Sequence, residues 1–411
     1  MTVTDHSGAV VVVGAGQAGL SACVKLRELG HDGPITLIGS EAYPPYQRPP
    51  LSKGYLLGEL SEERLSLRPI TYYQQNGIDL RLSQEAVAIH ADRHEVELSD
   101  GAVLVYSNLI LATGSRPRPL PEGMGGKLAG VYSVRSIADI KTMGPEFQAG
   151  RRVLVVGGGY IGLEAAAVAA KLGLTVTLIE SAPRILQRVA SAQTAAFFQD
   201  LHRHHNVQIL ESAELATLTG ERGRITAASL KDGREIPVDF AIVGIGVHPN
   251  VELARAAGIE IDNGIKVDSN CRTSDPSILA AGDCASFPWK GQRIRLESVG
   301  HAIDHGEAAA RTIMNRSNGY NAKPWFWSDQ FDVKLQIAGI GTGHDSLAVR
   351  KLSEKCMSLW YYKGADLLAV DAINQPGAYM VGKRLIEAGK SPDPALICDP
   401  ETDLKALLCA V

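Results

Sequence analysis

The sequence has no apolar stretch near the ~20 residues that a membrane-spanning helix needs. Runs such as Ala9–Val13 and Val153–Val156 stop far short of that. It also has no basic excess. Lysine and arginine number 41 against 45 acidic residues, a formal net charge of −4, which gives no sign of the clustered basic face of a nucleic-acid binder. Cysteine is sparse: Cys23, Cys271, Cys284, Cys356, Cys398 and Cys409. No two form a Cys-x-x-Cys pair, and no His/Cys cluster has metal spacing. Chemistry through a redox-active cysteine pair is therefore excluded, no metal site is expected, and the six are expected as reduced, mostly buried thiols. Met1–Ser7 contains Asp5 and His6 and no basic-then-apolar pattern, so a signal peptide is not expected and the expected location is the cytoplasm. A chain of 411 residues is too long for one core and implies two or three domains of roughly 100–200 residues.

Against these absences stands an internal repeat. Ala9–Gly19 reads AVVVVGAGQAG and Arg152–Gly162 reads RVLVVGGGYIG. Each is an apolar β-type run that breaks into glycines and then into a helix-forming stretch: Leu20–Leu29 before Gly30, and Leu163–Leu172 before Gly173. Each helix leads to a further strand, Ile35–Ile38 and Thr175–Ile179. Strands alternating with helices predict parallel sheets with right-handed crossovers. The first unit is followed by strand-like pieces at Asp79–Leu82, Val96–Leu98 and Asn108–Leu111, the second by Val207–Leu210, Ala227–Leu230 and Phe240–Val243. Arg116–Gly130, rich in proline and glycine, reads as a linker. Beyond it, Lys334–Ala338, Ser358–Tyr362 and Leu367–Val370 read as strands and Ala378–Ala388 as a helix stopped by Gly389, a small α+β domain.

In a G-x-G-x-x-G fingerprint the first glycine makes the strand-to-helix turn, the second leaves room for a pyrophosphate, and the third lets helix and strand pack closely. Gly14, Gly16 and Gly19 fill these places in the first repeat, and Gly157, Gly159 and Gly162 in the second. Phosphates there meet free N–H groups and the positive end of a helix. Two fingerprints, each in a strand–helix–strand frame, predict two bound dinucleotides. Glu180 ends the second strand of the second unit, where an acid grips the ribose hydroxyls and opposes a 2′-phosphate, so NADH is favoured over NADPH. Arg184 and Arg188 stand nearby and are read as a solvated helix face. Ser40 or Glu41 ends the corresponding strand of the first unit and takes the other ribose.

At this point the chain resembles the FAD-dependent NADH:ferredoxin reductases, in particular the putidaredoxin reductase-like reductases of bacterial P450 and dioxygenase systems. The likeness is carried by VVVGAGQAGLSA (11–22), RPPLSKGYL (48–56), LATGSRPRPLP (111–121), VVGGGYIGLEAAA (155–167), GIGVHPNVELA (244–254), TSDPSILAAGDCA (273–285), RLESVGHA (295–302) and WFWSDQFD (325–332). The resemblance implies a glutathione-reductase-like FAD/NAD flavoprotein of the α/β class, with two Rossmann-like dinucleotide-binding domains and a C-terminal α+β domain. It implies an FAD-binding domain of residues 1–115 and 246–327, an NAD-binding domain of 116–245 and a C-terminal domain of 328–411. FAD contacts are implied at Gly14, Ala15, Gly16, Ala18, Gly19, Ser40, Glu41, Arg48, Pro49, Lys53, Ala86, Ala112, Thr113, Gly114, Arg135, Gly282, Asp283, Val299 and Trp327. NAD contacts are implied at Gly157, Gly159, Tyr160, Ile161, Gly162, Glu180, Gly244, Ile245 and Gly246. Lys53 and Glu164 match the family's ion pair beside the flavin, a catalytic pair because a cation there favours the reduced ring. Pro49 and Trp327 match residues that shield it, while Trp325 and Phe326 are read as core. His301 stands where relatives often carry an amide and receives no catalytic part.

The implied reaction is hydride transfer from NADH to FAD N5, then single-electron transfer to a [2Fe–2S] ferredoxin that serves a cytochrome P450 or related oxygenase. A transient, electrostatic docking of an acidic ferredoxin makes Lys290, Arg293, Arg295, Arg311, Lys383 and Arg384 candidates for a basic patch; the protein is expected as a monomer or weak dimer. Two other readings compete: an NADH oxidase or peroxide reductase, which places a cysteine near the flavin where residues 40–55 have none, and a redox-sensing binding protein like apoptosis-inducing factor.

Overall fold

The computed structural model describes residues 8–410. Met1–Ser7, read above for a signal peptide, lies outside the described residues. Packing sorts the chain into two units. The first holds the residues up to Gln47, Glu62–Arg116 and His248–Pro324; the second holds Arg48–Ser61, Pro117–Val247 and the residues from Trp325 on. This differs from the expected division in two places: residues 48–61 and the C-terminal α+β part both cluster with the second unit.

The first unit is built on a five-stranded parallel sheet. Its strands lie in the order Ile278–Ala280, Asn108–Leu111, Val10–Val13, Ile35–Ile38, Ile78–Arg81. The central strand Val10–Val13 is buried along its whole length: Val10 and Val12 face the helical side of the core, and Val11 and Val13 face Ile89, Val96 and Leu98 of an antiparallel ribbon. The helix Gln17–Glu28 follows at once. It buries Ala18, Ala22, Cys23 and Leu26 in the same core as the small residues Ala302, Ala308, Ala309 and Ala310 of the helix Val299–Ile313. A three-stranded antiparallel ribbon, Ala86–His90, Glu95–Leu98 and Val103–Val105, is inserted before the fourth core strand.

The second unit repeats the plan. Its parallel sheet runs Gln208–Leu210, Thr175–Ile179, Arg152–Val156, Phe240–Val243, Val131–Tyr132, with the helix Tyr160–Lys171 after the central strand. An antiparallel ribbon again interrupts it, at Leu215–Glu221, Arg224–Leu230 and Glu235–Pro237. The C-terminal part is a five-stranded antiparallel sheet in the order Trp325–Gln330, Val333–Gly339, Asp366–Ile373, Cys356–Lys363, Ser346–Ser353. Helix Pro376–Ala388 shares its core through Ala378, Val381 and Leu385. Pro376 at its first turn starts this helix two residues ahead of the expected start, where the missing N–H costs nothing. No helix of the described residues is long and apolar enough to cross a membrane.

Candidate functional site: two dinucleotide cradles and a buried ion pair

In the first unit the chain turns at Gly14, whose φ is +117°. A Cβ there would stand 2.1 Å from the Ala112 carbonyl oxygen, and one on Gly19 would stand 2.0 Å from that of Gly14, so side chains are barred at both. Gly16 opens on empty space instead. It is the N-cap of Gln17–Glu28 in extended conformation and offers no side-chain cap, which leaves first-turn N–H groups available to an anion. Ala112, Thr113 and Gly114 end the neighbouring strand, and the Thr113 hydroxyl donates to the Asn250 carbonyl at 2.7 Å. Asp283 sits in the turn after Ile278–Ala280, where its carboxylate accepts from Ser115 Oγ at 3.0 Å. The Gly282 N–H donates to His305 Nδ1 at 3.2 Å, a tie that the sequence did not reveal. Glu41 accepts from the Tyr46 hydroxyl at 2.6 Å, while Ser40 is exposed. Ala15, Ala18, Ala86 and Val299 also lie in this unit. Arg48, Pro49, Lys53, Arg135 and Trp327 lie in the second, where Arg48 Nη1 donates to the Arg135 carbonyl at 2.7 Å.

The second cradle has the same construction. Gly157 has φ +108°, with the Gly244 carbonyl oxygen 2.5 Å from where a Cβ would be. Gly159 faces open space and caps Tyr160–Lys171 without a side chain. Ile161 and Ile245 flank the cradle with 45% and 37% of their surface exposed, apolar area of the kind a bound ring covers. The Tyr160 hydroxyl is buried without a hydrogen-bond partner among the described residues. Gly246, at φ +104°, hands its carbonyl to the Arg118 N–H.

Glu180 is more than a free acid at a strand end. Its carboxylate accepts from the Gly158 N–H at 2.7 Å and the Ala182 N–H at 2.8 Å, so it also holds the fingerprint loop. Arg184 departs from the solvated face expected of it. Its guanidinium donates to the carbonyls of Ile185, Gln187, Ala190 and Ser191. Only Arg188 of the two is exposed.

Lys53 and Glu164 form an ion pair at 2.8 Å, with side-chain exposures of 17% and 3%. Lys53 follows the short helix Pro49–Ser52; Glu164 sits on the first buried turn of the second fingerprint helix. Ser52 Oγ donates to Glu164 Oε2 at 2.7 Å and Ser328 Oγ to Oε1 at 2.6 Å. Burial pushes the proton affinity of Glu164 up, opposed first by Lys53 and then by these hydroxyls. Trp327 stacks on Trp325, ring centroids 5.5 Å apart. Phe326, expected in the core, is half-buried and lies against Tyr160 at 4.8 Å.

These contacts sit within a chain whose relatives are plain. Residues 8–306 match the family model described as pyridine nucleotide-disulphide oxidoreductase, and residues 325–408 match one described as reductase C-terminal. The chain is 39% identical over 408 residues to putidaredoxin reductase of Pseudomonas putida, covering 98% of this chain and 97% of that protein.

This chain belongs to the pyridine nucleotide-disulphide oxidoreductases, in their putidaredoxin reductase-like branch.

It is also 39% identical to rhodocoxin reductase of Rhodococcus erythropolis, over 96% of this chain and 93% of that one. The solved covalent complex of putidaredoxin reductase with putidaredoxin superposes with a TM-score of 0.95, at 38% identity and 99% coverage of both chains. The family model is named for disulphide chemistry, yet the six cysteines here are all free. Cys23, Cys271 and Cys284 are buried, whereas Cys398 and Cys409 are exposed, contrary to the expectation of mostly buried thiols. FAD and NAD(H) are the cofactors of this branch, and the residues fit them: two capless helix starts, each behind a glycine open to space, and an acid at the end of the second strand of each repeat.

The six docking candidates do not form one set. Arg295 is 11% exposed and bound to Glu297 at 2.6 Å and to the Asp283 carbonyl. Arg293 donates to the carbonyls of Val267 and Ser286. Both are half-buried braces tied to backbone carbonyls, and Arg293 also stands 3.6 Å from Asp262, so neither presents an unengaged charge. Lys290 lies over the Trp289 ring and Arg311 pairs with Glu307. Lys383 leans on Trp325, and Arg384 is exposed.

Proposed function

We infer that this protein is an NADH-dependent, FAD-containing ferredoxin reductase of the cytoplasm that serves the [2Fe–2S] ferredoxin of a cytochrome P450 or related oxygenase. The observation that carries the reading is the buried Lys53–Glu164 pair in a chain that has two dinucleotide cradles and no cysteine pair. Gly14, Gly16 and Gly19 would hold FAD and Gly157, Gly159 and Gly162 would hold NADH; bound flavin would supply two-electron uptake from the nicotinamide and one-electron release to the ferredoxin. The chain's residues supply position and field. The glycine turns at Gly14 and Gly157 aim open helix starts at the pyrophosphates. Glu180 grips the ribose of NADH and, by the same carboxylate, keeps its loop in place. Lys53 offers a positive charge that favours reduced flavin, and Glu164 holds that charge still. No side chain is assigned as proton donor or acceptor in the hydride step.

The peroxide-reductase reading needs a reactive thiol by the flavin. Cys23, in the first fingerprint helix, is fully buried and its thiol is pushed up to about 12, so it does not ionise at neutral pH. The test is to mix the yellow protein with NADH and follow cytochrome c reduction with a panel of [2Fe–2S] ferredoxins. Strong dependence on one ferredoxin is expected. Fast oxygen or peroxide turnover that ignores every ferredoxin would overturn the assignment.

A further inference from the structure

The late motif W-x-W-S-D-Q lies on the strand Trp325–Gln330, and the function above gives none of its residues a part. Ser328 and Gln330, two residues apart, share one face of the strand, and both are fully buried. Ser328 Oγ donates to Glu164 Oε1, as described above. Gln330 Nε2 in turn donates to Ser328 Oγ at 3.1 Å. Gln330 Oε1 lies 2.8 Å from Nε2 of His202, on the helix Ala192–His204. An amide oxygen only accepts, so Nε2 of His202 carries the hydrogen. Every hydrogen in this row points toward Glu164, and Ser52 and Lys53 donate to its other oxygen.

The row is not a proton wire, because the Gln330 amide does not pass a proton on at ordinary pH. It is an orienting chain. A carboxylate with 3% exposure stays ionised only if donors replace the water it has lost. The titratable groups that face Glu164 are Lys53 from the short helix, Tyr160 from its own helix and, through Gln330, His202. Burial keeps His202 neutral, pushed down to about 4, so the row brings donors to Glu164 without bringing a second cation that would compete with Lys53.

We propose that Ser328, Gln330 and His202 are positioning residues that hold Glu164 as a carboxylate aimed at Lys53. This rests on the role given above to the Lys53–Glu164 pair. The test uses the FAD-loaded full chain and two readouts. One is the infrared band of a protonated buried carboxyl, assigned to Glu164 by its loss in Glu164→Gln and followed over pH. The other is the pH profile of single-turnover flavin reduction by NADH. In Ser328→Ala the band appears at a pH about one unit or more above that of the parent protein, roughly tenfold or more in proton affinity, as for a lost hydrogen bond to a charged group. A new acid limb enters the rate profile at the same pH, and Ser328→Thr, which keeps the hydroxyl, reverses both. Gln330→Leu gives a smaller shift in the same direction and decides the matter if Ser328→Ala fails to retain FAD. Unchanged titration of Glu164 in these variants, or slowing that is equal at every pH, overturns the proposal. If Glu164→Gln slows reduction while Ser328→Ala leaves the titration alone, only this proposal falls. If Glu164→Gln itself leaves the rate unchanged, the reading of the ion pair falls and takes this one with it.

Discussion

Single side chains in this protein do two jobs where sequence reading gives them one. Glu180 was read as a ribose ligand, yet its carboxylate also accepts two backbone N–H groups of the loops that form the cradle. Removing it therefore costs shape as well as a ligand. Glu180→Ala should weaken NADH binding by about tenfold or more, in line with a lost charge-assisted contact. It should not create a preference for NADPH, because Arg184 is tied to four carbonyl groups and only the exposed Arg188 is left to meet a 2′-phosphate. Steady-state KM values for both nucleotides check this, and a variant that prefers NADPH would contradict it. Lys53 is the other case. It is the cation in a buried pair, so Lys53→Met leaves Glu164 with an unmatched charge in low dielectric. Flavin reduction by NADH should slow by about tenfold or more in stopped-flow measurement, and an unchanged single-turnover rate would refute the assigned role.

At the scale of elements, the two fingerprint helices separate packing from binding. Gly162 would drive a Cβ to 2.2 Å from the Gly157 carbonyl oxygen, whereas Gly159 would meet nothing within 4 Å. Gly162→Ala must therefore push the helix off its strand, at a cost of roughly 1–3 kcal/mol or more, seen as a lower Tm. Gly159→Ala should leave Tm nearly where it was, since an N-cap glycine differs from good caps by only a few tenths of a kcal/mol and from alanine by about 1 at most. It should nonetheless weaken NADH binding, because the new methyl group occupies the space beside the open N–H groups. Equal losses of stability in the two variants would show that the second glycine is also a packing residue. The C-terminal sheet also ties down the start of the helix Ala192–His204. Buried Asp371 accepts from Tyr361 and from Thr194 at 2.7 Å. The Tyr361 hydroxyl in turn accepts from the Ser191 N–H at 3.0 Å.

For the molecule as a whole, buried titratable groups set the response to acid. His202 and His301 are pushed down to about 4 and His305 well below its ordinary range, in each case chiefly by burial. A histidine whose folded pKa is depressed contributes stability above its unfolded value, near 6.5, and loses it as pH falls toward the folded value. For His202 and His301 this is roughly 1–3 kcal/mol each. Asp371 works the other way. Burial raises it to about 6, so the stability it contributes is greatest below about 4 and is lost as pH rises through 6. The three depressed histidines outweigh Asp371 and Glu164, whose proton affinity burial also raises, so Tm should fall between pH 7 and pH 4.5. His301→Gln should flatten that fall, and parallel curves for parent and variant would show that His301 is not among the groups that titrate.

The sequence by itself determined the repeat, the parallel strands, both glycine turns and the branch of the family, because these depend on local patterns: apolar runs of strand length, glycines at fixed spacing, motifs in a fixed order. Strands such as Ile35–Ile38 and Thr175–Ile179 fall where the pattern puts them. What tertiary structure alone decided is which side chains share a carboxylate. Ser52, Glu164 and Ser328 are more than a hundred residues apart in sequence between neighbours, yet meet at 2.6–2.7 Å. A charge and a hydroxyl look alike in sequence whether they face water or each other, and only burial, which excludes water and leaves each polar group to find a partner in the protein, tells the two apart. The same reason turned Arg293 and Arg295 from solvated charges into half-buried braces, and Arg184 from a solvated helix face into the brace of a loop.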